Sequence, residues 1–565
     1  MKPVLIRRKV AYFTMEIALD SSIPTYAGGL GVLAGDTIRS AADLKLPMAV
    51  VTLLYRKGYF RQKLDPSGQQ TELPAEWKVD NHFKELPTQV WVTIEGRKVH
   101  LRVWEYKMVG VSGYEIPVYL LDTDFEKNSD WDRTLTHSLY GGDAYYRLCQ
   151  EIILGIGGVK MLRALGHKEI EKFHMNEGHS SFLTLQLLEE QLSAARRSLV
   201  TDADIETVRQ KCVFTTHTPV PAGHDKFPVE LVQKALGRNK ILNQKNFLSE
   251  GMLNMTHLAL NLSGYINAVS KKHGEVTRKM FSSYAIDSIT NGVHAATWAS
   301  KPFQDLFDKN IPDWRRENES LRHALDIPKV ELWTAHMDSK HELINYVNER
   351  TENKFRESFF TMGFARRTAA YKRADLIFTD LERLKKINSS VGRFQLVFAG
   401  KAHPHDEVGK ELIHKIFQAK EALKDQFSII YLENYDMELA KLITSGVDLW
   451  LNNPEAPLEA SGTSGMKAAI NGIPSLSILD GWWVEGNIEG ITGWSIGEEH
   501  ADKEKSDPSK DAQALYSKLE KDIIPIFYES RDRYIDVMRH AIALNGSYFN
   551  TQRMLSQYVV RAYFS

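Results

Sequence analysis

Short apolar runs recur along this chain, each closed by a polar or glycine-containing stretch, with longer segments of helical spacing between them. Val10–Phe13 and Ala49–Leu54 predict two strands, with a helix over Thr37–Leu44 between them. Apolar and polar residues alternate near Trp91–Val103 and Tyr114–Leu121, as in the half-buried strands of a mixed or antiparallel portion. Helical spacing dominates Ala144–Leu165, and strand-like runs return at Lys172–Met175, Cys212–Thr215 and Ser288–Thr290. Residues 300–355 read as mostly helical and charged. A second strand–helix series then begins, at Phe359–Phe364, Gln395–Ala399, Phe427–Tyr431, Leu449–Leu451 and Ser475–Ile478. Ala512–Ser565 reads as helices, and the charged run Glu498–Lys510 as a solvated surface loop. The pattern predicts two α/β halves, 1–293 and 294–565, whose strands end in loops of the kind that bind ligands in parallel sheets.

Composition narrows the class. A chain of 565 residues with 43% hydrophobic content can bury large cores. A net charge of −1 gives no global attraction to nucleic acid or to an anionic membrane. No apolar run is long enough to span a bilayer, and Glu16 and Asp20 interrupt the run behind the basic N-terminus, so no signal peptide is expected. Two cysteines, Cys149 and Cys212, suit buried thiols in a reducing compartment, which points to the cytoplasm.

The richest stretch is Glu459-Ala-Ser-Gly-Thr-Ser-Gly-Met-Lys467. It follows a buried-strand run, Val447–Leu451, and precedes the helical Ala468-Ala469-Ile470. Small residues between strand and helix leave backbone N–H groups free for an anion, and Lys467 sits beside them. Such an amine can hold a phosphate or join an aldehyde cofactor. The spacing is too short for a nucleotide-binding P-loop, and Met466 separates Gly465 from the lysine. Gly29-Leu-Gly31-Val-Leu-Ala34 fits a dinucleotide fingerprint, but the second strand ends in Leu54, Tyr55 and Arg56, with no acid for a ribose. A glycine-rich phosphate or sugar cradle fits it, and so do glycines that serve only helix–strand packing.

Arg366, Arg367, Lys372 and Arg373 follow the strand ending at Phe364. By position they form either an exposed helix face or a phosphate site. His174-Met-Asn-Glu177-Gly-His179 and His403-Pro-His405 lack metal-binding registers, so no metal is expected. His217, at the end of the Cys212–Thr215 run, is either a satisfied loop histidine or a cleft residue. Retaining glycosyltransferases that use nucleotide sugars often carry Glu-x7-Glu here, whereas Glu459 is followed eight positions later by Lys467. A cation cannot accept the ribose hydrogen bonds, but it can carry an imine.

These residues resemble the α-glucan (glycogen, starch or maltodextrin) phosphorylase family. Glu-Ala-Ser-Gly-Thr-x-x-Met-Lys is that family's pyridoxal-phosphate lysine segment. Tyr12-Phe-Thr-Met-Glu16, Gly28-Gly29-Leu30-Gly31, Glu177-Gly-His179, Thr216-His217-Thr218, Thr290-Asn291-Gly292, Arg366-Arg367 with Tyr371-Lys372-Arg373, and Asp480-Gly481 spread the likeness over most of the chain. His217-Thr-Pro-Val-Pro-Ala-Gly-His224-Asp225 and Leu451-Asn-Asn-Pro454 bring it nearest the short bacterial and archaeal branch. The resemblance implies two Rossmann-like domains facing a cleft (the GT-B architecture), with the C-terminal helices packing back. It implies pyridoxal 5′-phosphate as cofactor, held by Lys467 as a Schiff base. Arg366, Lys372, Thr463 and Trp298 would lie around that cofactor. Arg367 would bind the substrate phosphate, with Lys372 close by, and His217 would lie over the glucosyl ring. Gly29, Leu30, Asn291, Glu459, Ser461 and Gly462 would meet the substrates. The implied reaction is reversible, retaining phosphorolysis of an α-1,4-glucan by inorganic phosphate to α-D-glucose 1-phosphate. The cofactor's 5′-phosphate would serve as proton relay.

Some positions depart from the family. Arg366 stands where many members have lysine, Glu177 where others have aspartate, and Ala18 where the longer enzymes often have tyrosine. The chain starts almost at its first strand, so the regulatory segment of those longer enzymes is expected to be missing. Oligomeric state, a homodimer or larger homo-oligomer included, is left open. A nucleotide-sugar glucosyltransferase or a catalytically silent glucan-binding protein are the alternatives, and Lys467 with the basic segment speaks against both.

Overall fold

The computed structural model describes residues 7–220, 223–237, 242, 247–249, 251–351, 354–497 and 507–564. Of the predicted loop Glu498–Lys510, residues 498–506 lie outside these, and Pro508 already opens the helix Pro508–Lys518.

Two large sheets carry the molecule. The first has nine strands, running edge to edge through Asp287–Ser288, Tyr265–Ala268, Cys212–Thr215, Lys172–Asn176, Val10–Thr14, Met48–Leu53, Glu115–Asp122, Arg97–Val109 and Lys84–Ile94. Val10–Thr14 lies central and buried throughout, paired in parallel with Met48–Leu53 on one side and Lys172–Asn176 on the other. Central strands with both faces covered read as unbroken apolar runs. Lys84–Ile94 and Arg97–Val109 alternate buried and open positions and pair antiparallel, which makes the sheet mixed, as the alternation predicts. The second sheet has six strands, all parallel: Ile429–Leu432, Phe394–Ala399, Phe360–Ala365, Leu449–Asn452, Ser475–Ile478 and Gly493–Ile496. The strands Tyr265–Ala268 and Gly493–Ile496 are not anticipated from the sequence. Each is four residues long.

The predicted helix Thr37–Leu44 begins earlier, at Gly29, and runs to Asp43. Its first turn is hidden in the sequence because Gly29 and Gly31 carry no side chain to mark a period. Gly31 is required: a Cβ there would meet Tyr26 Cβ at 2.6 Å and Glu16 Oε2 at 2.7 Å.

The chain returns at its end to the first sheet. Met554, Leu555, Tyr558 and Tyr563 pack in one cluster with Tyr12, Val50 and Ile38. The Tyr563 hydroxyl also meets His174 Nδ1 at 2.6 Å. From the other direction, the hairpin Arg61–Leu64/Gln70–Leu73 reaches the second sheet. There Gln62 Nε2 donates to Gly400 O (2.8 Å) and Gln70 Nε2 to Ala402 O (3.0 Å). The halves are thus tied by the chain end and by the hairpin, and the loops at the C-terminal ends of their parallel strands meet between them. Ser270 Oγ donates to Ala460 O (2.7 Å), and Thr290 Oγ1 to Glu485 Oε1 (2.9 Å), across that junction.

Candidate active site

Lys467 lies in the first turn of a two-turn helix, Ser464–Ile470, reached through Gly462 at φ +85°, a conformation that favours glycine. Its amine is buried and rests 3.8 Å from the ring centroid of Trp298, itself buried. Asn471 Nδ2 donates to both Trp298 O (2.8 Å) and Lys467 O (3.0 Å), which locks the helix to the tryptophan segment. The Trp298 indole N–H donates to Asp36 Oδ2 (2.7 Å), from the helix Gly29–Asp43. No described group accepts a hydrogen bond from the lysine amine. Burial lowers its pKa to about 8, with Asp36 acting in the opposite sense. An amine so placed is more readily deprotonated near neutral pH than an ordinary lysine and has no partner to displace.

The loop that leads into the Lys467 helix carries a cluster of charge at Glu459. Arg366 and Lys372 are buried, and both donate to Glu459: Arg366 Nη2 at 2.5 Å to Oε2, Lys372 Nζ at 2.9 and 2.6 Å to Oε1 and Oε2. Arg366 Nη1 also donates to Asn452 Oδ1. Burial resists the charge on Glu459, yet Arg366 and Lys372 overcome it and hold the carboxyl at about 2. Two cations share one carboxylate, so the cluster is net positive. Arg366 Nε and Ser461 Oγ are buried with no hydrogen-bond partner. Arg367 is exposed to solvent and makes no ion pair among the described residues. Desolvation by the surrounding chain works against its charge, but Tyr371, Tyr140, Glu16 and Tyr59 outweigh that and raise its pKa. Three of those four, Tyr140, Glu16 and Tyr59, lie before residue 150, so the guanidinium faces that part of the chain. The alternative of an exposed helix face for Arg366–Arg373 does not hold. Only Ala370–Lys372 makes a single 3-10 turn, and Arg373 leaves it in the left-handed region and pairs with Asp511 (2.8 Å).

The first half supplies the opposite wall. Ala27 and Gly28 N–H donate to Glu16 Oε2 (2.7 and 3.2 Å), and Tyr140 Oη donates to Glu16 Oε1 (2.7 Å). Glu16 thereby holds the segment leading into Gly29 and Leu30, and the space beside the Gly28 and Gly29 Cα atoms is open. Glu177 follows the strand Lys172–Asn176 at φ +74°. It accepts from His217 N (2.7 Å) and Thr218 Oγ1 (3.0 Å) on Oε2. His217 Nε2 meets Asn176 Oδ1 at 2.7 Å, and burial lowers the imidazole pKa to about 3, so the ring is neutral. The backbone of Asn291 is pinned by Val269 O and the Arg553 guanidinium, and its side chain forms no hydrogen bond among the described residues.

Comparison with known proteins decides what family this cleft belongs to. Residues 238–492 match the carbohydrate phosphorylase model. The maltodextrin phosphorylase of Thermococcus litoralis is 42% identical, an alignment covering 98% of this chain and 70% of that one. The glycogen phosphorylase of Aquifex aeolicus is 37% identical, over 99% and 86% of the two chains. An uncharacterized protein of Methanocaldococcus jannaschii is 31% identical over 98% and 100%. The chain belongs to the carbohydrate phosphorylase family.

Within this phosphorylase chain the predicted site residues fall into three groups. Lys467 and Trp298 form the amine recess, and Thr463 precedes its helix. Arg366, Lys372 and Glu459 form the charged cluster, Ser461 and Gly462 follow Glu459 in its loop, and Arg367 is exposed next to Arg366. Gly29, Leu30, His217 and Asn291 lie at strand and helix ends of the facing half. Sequence reasoning missed Asp36, the only charged group acting on Lys467 among the described residues. It also missed Lys401, which follows the strand Phe394–Ala399, donates to Phe60 O (3.0 Å), and is lowered by burial to about 8. For Lys401 a signal existed: a lysine just past a strand's C-terminal end. For Asp36 none did, because an acid in mid-helix reads as solvated. Among the described residues no group of three or more His, Cys, Asp or Glu stands ready to hold a metal ion, and no helix is long and apolar enough to cross a membrane.

Proposed function

We propose that the protein is an α-glucan phosphorylase: it transfers a terminal α-1,4-linked glucosyl unit to inorganic phosphate, with retention, and releases α-D-glucose 1-phosphate. The observation that carries this reading is the buried, unaccepted amine of Lys467 on the helix that follows the Glu459 loop, where two cations meet one carboxylate. The residues fit pyridoxal 5′-phosphate. Lys467 would anchor its aldehyde, Trp298 would back it, and Thr463 with the cations of the pocket would hold its phosphate. When bound, that cofactor supplies a second phosphate group able to exchange a proton with the substrate phosphate.

The chain's own residues do the rest. Arg367 is the cation best placed to take the incoming phosphate, since its guanidinium is unpaired and its fork matches a phosphate edge. Lys372 and Arg366, held by Glu459, offset the repulsion between two phosphates brought close in a low-dielectric cleft. The substrate phosphate would protonate the leaving glycosidic oxygen and then attack C1 from the same face. Glu459, Ser461, Gly462, Asn291 and His217 would bind the glucosyl ring, Ser461 through a hydroxyl that has no protein partner. Gly29 and Leu30 would face the phosphates with free N–H groups of a helix of 15 residues. Closure of the halves would exclude water and so favour phosphorolysis over hydrolysis.

The strand order of the second sheet is that of a doubly wound nucleotide-binding domain, 3-2-1-4-5-6 in chain order. It supports a GT-B arrangement of two Rossmann-like domains, 1–293 and 294–565, with the final helices packed back on the first. Buried free thiols at Cys149 and Cys212 fit a cytoplasmic enzyme. Incubation with maltodextrin and phosphate tests the proposal: glucose 1-phosphate should form, and should not when phosphate is omitted. Transfer from a nucleotide sugar instead would overturn it.

A further inference from the structure

Arg553, on the helix Thr551–Tyr558, forms no ion pair among the described residues. Its guanidinium donates to neutral oxygens instead: Nε to Tyr548 O (2.8 Å), Nη1 to Thr290 O (2.7 Å) and Gln557 Oε1 (3.1 Å), and Nη2 to Asn291 O (2.9 Å). Burial pulls its pKa down to about 10, which leaves it charged at neutral pH. A charge without a counter-ion is costly to enclose, and here only charge-assisted bonds to oxygens offset that cost. Two of those oxygens are the carbonyls that flank Asn291. The loop around Asn291 is held at further points by later residues. Glu485 accepts from the Thr290 hydroxyl on both oxygens (2.9 Å each). Val293 N donates to Phe549 O (3.1 Å), and Thr551 N to Val293 O (3.0 Å). Gly292 is pressed on Asn550, where a Cβ would meet the backbone carbonyl carbon at 2.2 Å. On the other side Asn291 N donates to Val269 O (3.0 Å). Two planar peptides fixed on either side of a Cα leave its Cα–Cβ bond one direction. The Asn291 side chain so directed forms no hydrogen bond among the described residues.

We propose that Arg553 is a positioning residue for Asn291: by bridging the two carbonyls that flank it, the guanidinium fixes the direction from which the Asn291 amide meets the glucosyl unit. The proposal rests on the reading of the protein as an α-glucan phosphorylase with Asn291 on the sugar. It gives a residue 262 positions away a part in sugar binding without a contact to the sugar. The planar fork of an arginine reaches two carbonyls at once, which a single ammonium group does not.

The test is steady-state kinetics of phosphorolysis by the holoenzyme, with maltodextrin and phosphate varied in turn. Arg553→Met keeps most of the stem but removes the fork. It should raise KM for maltodextrin about three- to tenfold, the weakening of one hydrogen bond to the sugar, and leave KM for phosphate unchanged. Arg553→Lys keeps the charge but not the bridge, so it should give the same split with a smaller rise. This second variant carries the test where Arg553→Met does not fold. In an Asn291→Ala background either substitution should add nothing further to that KM. An unchanged KM for maltodextrin with a lower melting temperature overturns the proposal, because that pattern marks a purely structural arginine. A rise that persists in full in the Asn291→Ala background overturns it as well. Wild-type protein that forms no glucose 1-phosphate from maltodextrin and phosphate overturns the phosphorylase reading itself, a result distinct from an unmoved KM.

Discussion

Two buried carboxylates of the second half, Asp448 and Glu459, are each flanked by two basic side chains, and they could hardly differ more in what is left over. Asp448 accepts from Lys340 Nζ (2.6 Å), His336 Nε2 (2.8 Å) and Thr361 N (2.7 Å), all three fully enclosed. Lys340 spends a further hydrogen on Phe359 O (2.7 Å). That cluster ties the helix Lys329–Asn348 to the N-terminal ends of two central strands of the sheet, and its one unpartnered atom among the described residues is His336 Nδ1, with no surplus positive charge beside it. Around Glu459 the same ingredients stay open: Arg366 Nε is orphaned, Ser461 Oγ is orphaned, and Arg367 stands unpaired at the cleft. Buried charge alone does not mark a site. Surplus positive charge with unsatisfied donors, at the C-terminal ends of parallel strands, does.

The comparison breaks first if the open cluster and its lysine can be cut without chemical cost. Lys467→Ala should lower phosphorolysis by about 10^4-fold or more and abolish the cofactor's absorption together. Retained absorption with lost activity would detach the lysine from the cofactor. Because Lys467 makes no hydrogen bond through its amine, the melting temperature of the cofactor-free variant should stay near that of the cofactor-free wild type.

Cutting the closed cluster should do the reverse. Lys340→Met strands a fully buried carboxylate and should cost about 3–5 kcal/mol of stability, read from denaturant midpoints. The KM for phosphate should not change in the fraction that remains folded. A specific rise in that KM would mean that Asp448 belongs functionally with the site after all. Smaller again is the expected effect of Arg367→Ala, a loss of one charge-assisted contact: about tenfold to a hundredfold in kcat/KM for phosphate. Glucan affinity should hold, and equal losses toward both substrates would remove Arg367 from the phosphate.

These contrasts also explain how far the chain could be read without coordinates. Five strands of the second series were legible, most of them as largely apolar runs, and Ser475–Ile478 matches the observed strand residue for residue. Lys467, Glu459 and the Arg366–Lys372 segment were legible because the chemistry sits within short, ordered stretches. What stayed hidden depends on contacts between distant segments. Arg366 and Arg367 are neighbours in sequence, yet one is buried against Glu459 and the other is exposed and unpaired among the described residues. No local pattern separates them. Asp36 meets Trp298 across 262 positions, and its helix begins with glycines that carry no periodic signal.

A third buried carboxylate sharpens the comparison, because no cation touches it. Glu177 is satisfied only by neutral donors: Gly178 N, His217 N and Thr218 Oγ1. Burial outweighs these hydrogen bonds and pushes its pKa up to about 6, whereas Glu459 beside two cations lies at about 2. The folded-state value is raised above the ordinary 4.5. The folded protein therefore binds the extra proton between those values, and stability falls as pH rises through that window. Glu177 contributes its full stabilisation below 4.5 and loses about 2 kcal/mol of it on passing 6. Glu177→Gln abolishes the titration while keeping an acceptor for the His217 N–H. The stability difference between wild type and variant should then shrink in the wild type's disfavour by that amount from pH 4 to pH 7, measured by denaturant unfolding at both. A difference independent of pH would mean that Glu177 keeps the ordinary carboxylate value in the folded protein, its three neutral donors just offsetting its burial.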